Sequence, residues 1–394
     1  MSHPSLTRPS LTHQAILAPF LFDGTRLLPD RAVILEGDRV AAIIPPSEVP
    51  PSLPIARPEG GAYLAPGLID LQVNGGGGVL FNDALTEEGL ARIAGAHRAL
   101  GTSCLQPTLI SGSTEQIEAA LDAVRAAIAH GVPGILGLHV EGPFFAPSRR
   151  GIHPAGAIRP LSPRDLALLA TPVPFPLTLT LAPETVPEPA LRALAAAGVV
   201  LLAGHTEASP AQIARARAAG LAGFTHLFNA MPPIAARAPG PAGAALADRD
   251  CFASMIVDGL HVHPEPLRLA LAAKGTNRLF LVSDAMPSVG SPLTCFRIGE
   301  TTINLRDGRL IDAEGTLGGA HLSLARAVRN AHHLLALSPE DALRMATATP
   351  AACLGLTNRL GLIAPNTQAN LALFDASLSL VGTWNEGSFT PAQA

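Results

Sequence analysis

The runs ILGLHVEGP (135–143), VVLLAGH (199–205), GFTHLFNAM (223–231), SMIVDGLHV (254–262) and LFLVSDA (279–285) share one pattern: a short apolar stretch followed by residues able to bind a metal or move a proton. Those residues are Glu141, His205, His226, Asp258 with His261, and Asp284. Short Val, Leu and Ile runs followed by helix-like stretches mark strands buried on both faces, as in parallel sheets. In a parallel barrel the βα loops converge at the C-terminal ends of the strands, so polar residues placed there share one mouth.

Outward from these runs the alternation continues. Strands are expected at 68–73, 103–109, 135–140, 177–181, 199–204, 223–227, 252–257 and 279–284. Helices are expected at 86–99, 114–129, 163–170, 188–197, 209–219 and 264–273, with two more at 321–336 and 339–347. Thr86, Ser113, Ser162 and Ser209 stand where N-caps belong, and Gly101, Gly131, Gly198 and Gly220 follow helix ends. Eight β-then-α units predict an α/β fold, a (β/α)8 TIM-like barrel over residues 63–356. Residues 287–320 break the rhythm and are expected to form a hairpin-like insertion over the mouth. AILAPFLF, RAVILEG and RVAAII precede a Pro/Gly-rich connection at 45–61, and NLALFD with residues 378–384 reads as strands again. These predict a small β-sandwich assembled from both termini, residues 1–62 and 357–394.

A chain of 394 residues with formal charge −4 has length for a large core and no basic stripe, which argues against nucleic acid and anionic membrane as partners. The N-terminus, MSHPSLTRPSLTH, lacks the charged-then-apolar pattern of a leader, and no apolar run reaches the ~18 residues of a spanning helix. A cytoplasmic location is expected. Cys104, Cys251, Cys295 and Cys353 are widely spaced without CxxC pairs and read as buried thiols. Lys274 is the single lysine among 27 basic residues.

Glu141, His205 and His226 fall at the ends of the third, fifth and sixth expected strands. One carboxylate and two imidazoles with an open position form the ligand set of a catalytic divalent metal. Asp284, ending the eighth, is placed to accept a proton from a water and return it to a leaving group, although SDA could also cap the loop that follows. Asn229 and Ala230 lie just past His226, where loop N–H groups can face an anion. Arg237, in AARAPGPAG, belongs to no expected element; it suits a phosphate or carboxylate, and equally a solvated surface charge. His153 follows Glu141 in RRGIHPAG, and Leu317, Gly318 and Gly319 form a flexible turn. The run Gly75–Gly78 lacks the GK[ST] of a phosphate loop.

YLAPGLID (63–70) and GLIAPNTQANLALFD (361–375) resemble the entry and return segments of the amidohydrolase superfamily. Within it, HVEGPFF, GIHP, APE, AGHT, THLFNAMPP, DGLHV and SDA resemble the N-acetylglucosamine-6-phosphate deacetylase family, in order and over nearly the whole chain. The resemblance implies that Glu141, His205 and His226 bind metal, with Asp284 as proton acceptor and donor; in the reaction expected from it, His153 helps to stabilise the oxyanion. It implies substrate contacts from Ile152, His153, Asn229, Ala230, Arg237, Asp258, Gly259, Leu260, His261, Leu317, Gly318 and Gly319. In this family the arginine at the Arg237 position reaches the phosphate across a homodimer interface. Gln72 and Asn74 stand where most amidohydrolases carry His-x-His, so the second-metal positions are vestigial and one divalent ion per chain is expected. Zinc is the first expectation, with iron, manganese and cobalt suited to the same ligands. Lys274 lies away from any strand end and is not a carboxylated bridging lysine. Asn370 replaces a structural aspartate common in the closing motif. The implied reaction is deacetylation of N-acetyl-D-glucosamine 6-phosphate; the alternatives are the galactosamine epimer, an N-acylamino acid, or a non-catalytic scaffold.

Overall fold

The computed structural model describes residues 13–392. Residues 1–12, on which the reading of the N-terminus and part of the 1–62 assignment rest, and residues 393–394 lie outside it. Eight parallel strands run in sequential order: Leu68–Val73, Thr102–Ile110, Leu138–Glu141, Leu177–Leu181, Val200–Ala203, Leu221–Phe224, Phe252–Met255 and Leu279–Leu281. The first and eighth meet just beyond the ladder, where Asp284 N–H donates to Gln72 O at 3.0 Å and Asn74 N–H to Ala285 O at 2.9 Å. The barrel is thus nearly closed. Its strands alternate an inward, largely polar row, in which Thr108, His139 and Thr180 hydrogen-bond from strand to strand, with an outward apolar row. On that outward row Leu71, Leu105, Leu109, Val140, Leu179 and Leu201 are at most 2% exposed, and each such side chain contributes about 1.5–3 kcal/mol by leaving water.

Helices cover the outside and begin where the capping residues predict. Thr86, Ser113, Ser162 and Ser209 each accept a backbone N–H three residues on, and the three serines complete capping boxes with Gln116, Asp165 and Gln212. Two helices were not foreseen, one of them the short Ala348–Cys353 after the last expected helix. Gly240–Ala247 follows the sixth strand inside the Pro/Gly-rich stretch, with proline in its first turn and alanines after it. Lys274 ends the helix Pro264–Lys274, buried, and its ammonium donates to Ala245 O at 3.0 Å and to Asp248 O. It therefore caps the end of Gly240–Ala247, well away from the C-terminal strand ends.

The insertion after the eighth strand is a four-stranded antiparallel sheet, Cys295–Ile298, Thr301–Arg306, Arg309–Ile311 and Leu317–Ala320, rather than a single hairpin. Cys295 lies on its edge strand and is exposed, which corrects the expectation of a buried thiol there; Cys251 and Cys353 are buried. The terminal strands form one eight-stranded sheet in which Tyr63–Pro66 lies between His13–Phe22 and Leu371–Phe374. Ile16, Val33, Leu64, Leu371, Leu373 and Trp384 gather into a core of its own. Among the described residues, no helix is long and apolar enough to cross a membrane.

Candidate active site

Glu141 is the last residue of the third barrel strand, whereas His205, His226 and Asp284 lie just past the ends of the fifth, sixth and eighth. These three hold left-handed backbone, with φ of 51°, 32° and 50°. Only a few per cent of non-glycine residues adopt that region, and it recurs where surrounding structure over-determines a functional turn. The turn ends each strand sooner than the apolar pattern predicts.

Around Glu141 the ligand atoms converge. His226 Nε2 lies 3.1 Å from Glu141 Oε1, and His205 Nε2 lies 3.4 Å from the same oxygen. The two Nε2 atoms are 3.1 Å apart. His205 Nδ1 lies 2.8 Å from Arg149 O, a carbonyl that only accepts, so Nδ1 carries the proton and Nε2 offers a lone pair. Phe145 stacks on the His205 ring at 4.2 Å and fixes its plane. All three residues are at most 5% exposed, and their potential ligand atoms lie within 4.8 Å of one another. Lone pairs and a carboxylate crowded this closely in a dry site are the donor set of a divalent cation, so the residues fit one. Burial pushes Glu141 towards protonation, but the His205 and His226 rings against it outweigh that and hold the carboxyl well below its usual range.

Asp284 and His153 flank this cluster. Burial, then the charge of Glu141, pushes the Asp284 carboxyl up to about 6. Its Oδ1 accepts from Asn74 Nδ2 at 2.7 Å and from Gln72 Nε2 at 3.1 Å. His153 Nδ1 lies 2.8 Å from Ser111 Oγ at the end of the second strand, and Nε2 is 3.9 Å from Glu141 Oε2. Burial, then the His205 ring, pushes His153 down to about 3, so its imidazole is neutral.

A cavity of about 410 Å³ opens over these groups, within the size range of small-molecule sites. Of the residues singled out in the sequence, Asn74, Glu141, Ile152, His153, His205, Asn229, Ala230, His226, His261, Asp284, Leu317 and Gly319 line it. Asp258 does not; its carboxylate accepts from Leu260 N, His261 N and His261 Nδ1 at 2.8, 2.9 and 2.6 Å, which holds the His261 ring. Gly259 takes positive φ in that turn, and Leu260 faces the insertion at Gly308. A Cβ on Gly318 would press on Ile303 and Ile152, and one on Gly319 would overlap Met286, so the insertion reaches the mouth only with glycines there. Arg237 is exposed, between Ala235 and Ala238, which bridge to each other, and it does not line the cavity of its own chain. Ser111, Arg149, Thr316 and Met286 were missed. Only contacts between separate loops reveal them, and HVEGPFF is the one quoted motif that contains a missed ring, Phe145.

Comparison with known proteins is consistent with this geometry. The amidohydrolase family model matches residues 63–391. An N-acetylgalactosamine-6-phosphate deacetylase of Shewanella sp. (strain ANA-3) is 40% identical over 324 residues, 82% of this chain and 82% of that protein. An N-acetylglucosamine-6-phosphate deacetylase of Haemophilus influenzae is 32% identical over 366 residues, 92% of this chain and 95% of that protein. The crystal structure of N-acetylglucosamine-6-phosphate deacetylase from Pasteurella multocida superposes with a TM-score of 0.91 at 31% identity, covering 96% of this chain and 100% of that one.

Proposed function

The chain belongs to the amidohydrolase family, and from that premise we propose that it hydrolyses N-acetyl-D-glucosamine 6-phosphate to D-glucosamine 6-phosphate and acetate. The observation that carries this reading is the convergence of Glu141, His205 and His226 beside Asp284 at the floor of one cavity. One divalent ion, zinc as the first candidate, is assigned to those three residues. When bound it supplies Lewis acidity, activating a water and polarising the amide carbonyl.

The chain's own groups do the rest. Asp284 takes the proton of the attacking water and returns it to the amide nitrogen as the C–N bond breaks, because an amine is not expelled as its anion. The neutral His153 ring, held by the Ser111 hydroxyl 2.8 Å from Nδ1, is assigned to the developing oxyanion through Nε2. Asn229, Ala230 and His261 line the wall where the sugar would lie. Arg237, outside its own cavity, is assigned to the phosphate bound by a second copy of the chain, in a homodimer.

Purified protein, its metal quantified by elemental analysis, should release acetate from N-acetylglucosamine 6-phosphate faster than from the galactosamine epimer, the unphosphorylated sugar or an N-acetylamino acid. The galactosamine arm matters because relatives acting on each epimer resemble this chain. Faster release from that epimer would reassign the substrate, and no release from any of the four would remove the enzyme reading.

A further inference from the structure

We propose that Gln72 and Asn74 are positioning residues: their side-chain amides form a clamp that orients Asp284 and separates it from Glu141, in the place where a second cation would otherwise stand. The proposal deepens the reading above by giving these residues a role in the same reaction.

The first barrel strand turns every second side chain inward, and Asp70, Gln72 and Asn74 form one such row, each at most 1% exposed. Gln72 Nε2 lies 2.9 Å from Glu141 Oε1 and 3.1 Å from Asp284 Oδ1, so one amide bridges two carboxylates that would otherwise repel. Asn74 Nδ2 adds a second donor to Asp284 Oδ1 at 2.7 Å. Both amides thus converge on one oxygen, and Oδ2 receives no side-chain or backbone donor among the described residues. That asymmetry leaves Oδ2 free to take a proton.

The main chain is tied at the same seam. Asp284 N–H donates to Gln72 O at 3.0 Å, and Ser283 N–H lies 3.2 and 3.3 Å from the two Asp70 carboxyl oxygens. Backbone and side chain of Asp284 are therefore both set by the first strand.

The clamp has a visible cost. Gln72 Oε1 and Asn74 Oδ1 are buried without a hydrogen-bond partner among the described residues. An orphaned acceptor is unfavourable by about 1–3 kcal/mol, and turning either amide over would aim its oxygen at a carboxylate instead. Two such orphans side by side are hard to explain as packing alone. They follow directly if the N–H groups are needed where they point.

Asn74→Asp keeps the shape and removes the donor, whereas Asn74→Ala removes both. Each should lower kcat for the phosphorylated sugar by about 10- to 100-fold, since a small misplacement of a reacting group costs that much, with KM within about threefold and one metal ion per chain retained. A merely structural residue would tolerate aspartate better than alanine. Either variant with kcat within about threefold of wild type overturns the clamp.

A second arm needs no turnover. In the Gln72→Glu/Asn74→Asp variant, four carboxylates meet at the seam, and dialysis against zinc should raise the bound metal from one ion per chain towards two. An unchanged count in a folded variant, checked by circular dichroism, also overturns the proposal. If the wild type releases no acetate, the substrate reading fails while the metal count still decides the clamp.

Discussion

The barrel mouth and the terminal sheet are both built on short strands, and they differ in what they bury. At the mouth, His205, His226 and Asp284 hold left-handed backbone, acids and imidazoles are buried within hydrogen-bond distance, and amide oxygens go unpaired. In the terminal sheet, Ile16, Val33, Leu64, Leu373 and Trp384 close an apolar core, in which the Trp384 ring N–H is the buried polar group left without a partner among the described residues. Strain and buried charge persist at the mouth because the barrel around it leaves no alternative arrangement. The difference teaches where substitutions should be felt: at the mouth in turnover, in the sheet in stability.

The largest expected effect is at Asp284. Asp284→Asn keeps the shape but can neither accept nor return the proton, so kcat should fall by about 10³–10⁴-fold with metal content and melting temperature preserved. A fall of less than tenfold with metal retained would place the proton transfer on another residue.

Trp384→Ala sets the opposite case. The ring is fully buried, and its removal should destabilise the terminal sheet by about 3–5 kcal/mol, read as a lower urea midpoint, with kcat within about twofold of wild type. A large loss of turnover in still-folded protein would show that the two regions are coupled.

Arg237→Ala sharpens the comparison at the rim, where the side chain is exposed and strain is absent. It should reduce kcat/KM by about 2–4 kcal/mol for the phosphorylated sugar and hardly at all for the unphosphorylated one. Equal losses on both would detach Arg237 from the phosphate. Mixed with Asp284→Asn, it should recover part of the activity if the arginine acts across a dimer.

Asp70 gives the smallest and most graded effect, beneath the mouth. Burial pushes its carboxyl up to about 7, so between the ordinary carboxylate range and that value the unfolded chain ionises while the folded chain stays protonated. Stability from this group is thus present at low pH and lost as pH rises through about 7. Asp70→Asn should flatten the decline of the urea midpoint between about pH 4 and 7, and an unchanged slope would mean that Asp70 is ionised in the fold.

Much of the fold was legible in the sequence because it rests on local signals. Apolar runs of strand length, serines at helix starts and glycines after helix ends each report their own neighbourhood, which is why the capping boxes at Ser113, Ser162 and Ser209 stand where they were expected. The helix Gly240–Ala247 escaped because proline and glycine read as breakers, although proline in a first turn favours a helix. Ser111 and Arg149 escaped because nothing local distinguishes a serine that meets His153, or an arginine that lines the cavity, from any other.

The sequence by itself determined the barrel and the gathering of Glu141, His205, His226 and Asp284, since parallel strands of sequential order bring their C-terminal ends to one mouth wherever the chain places polar residues there. Only the tertiary structure decided what those residues touch. Gln72 and Asn74 meet Asp284 across 212 and 210 positions of sequence because the first and eighth strands close the ring. By the same kind of contact, Asp258 serves His261 rather than the cavity, and Arg237 is not among the residues that line its own chain's cavity. Periodicity fixes which face a side chain takes, whereas register and closure fix its partner, and those depend on packing the whole chain at once.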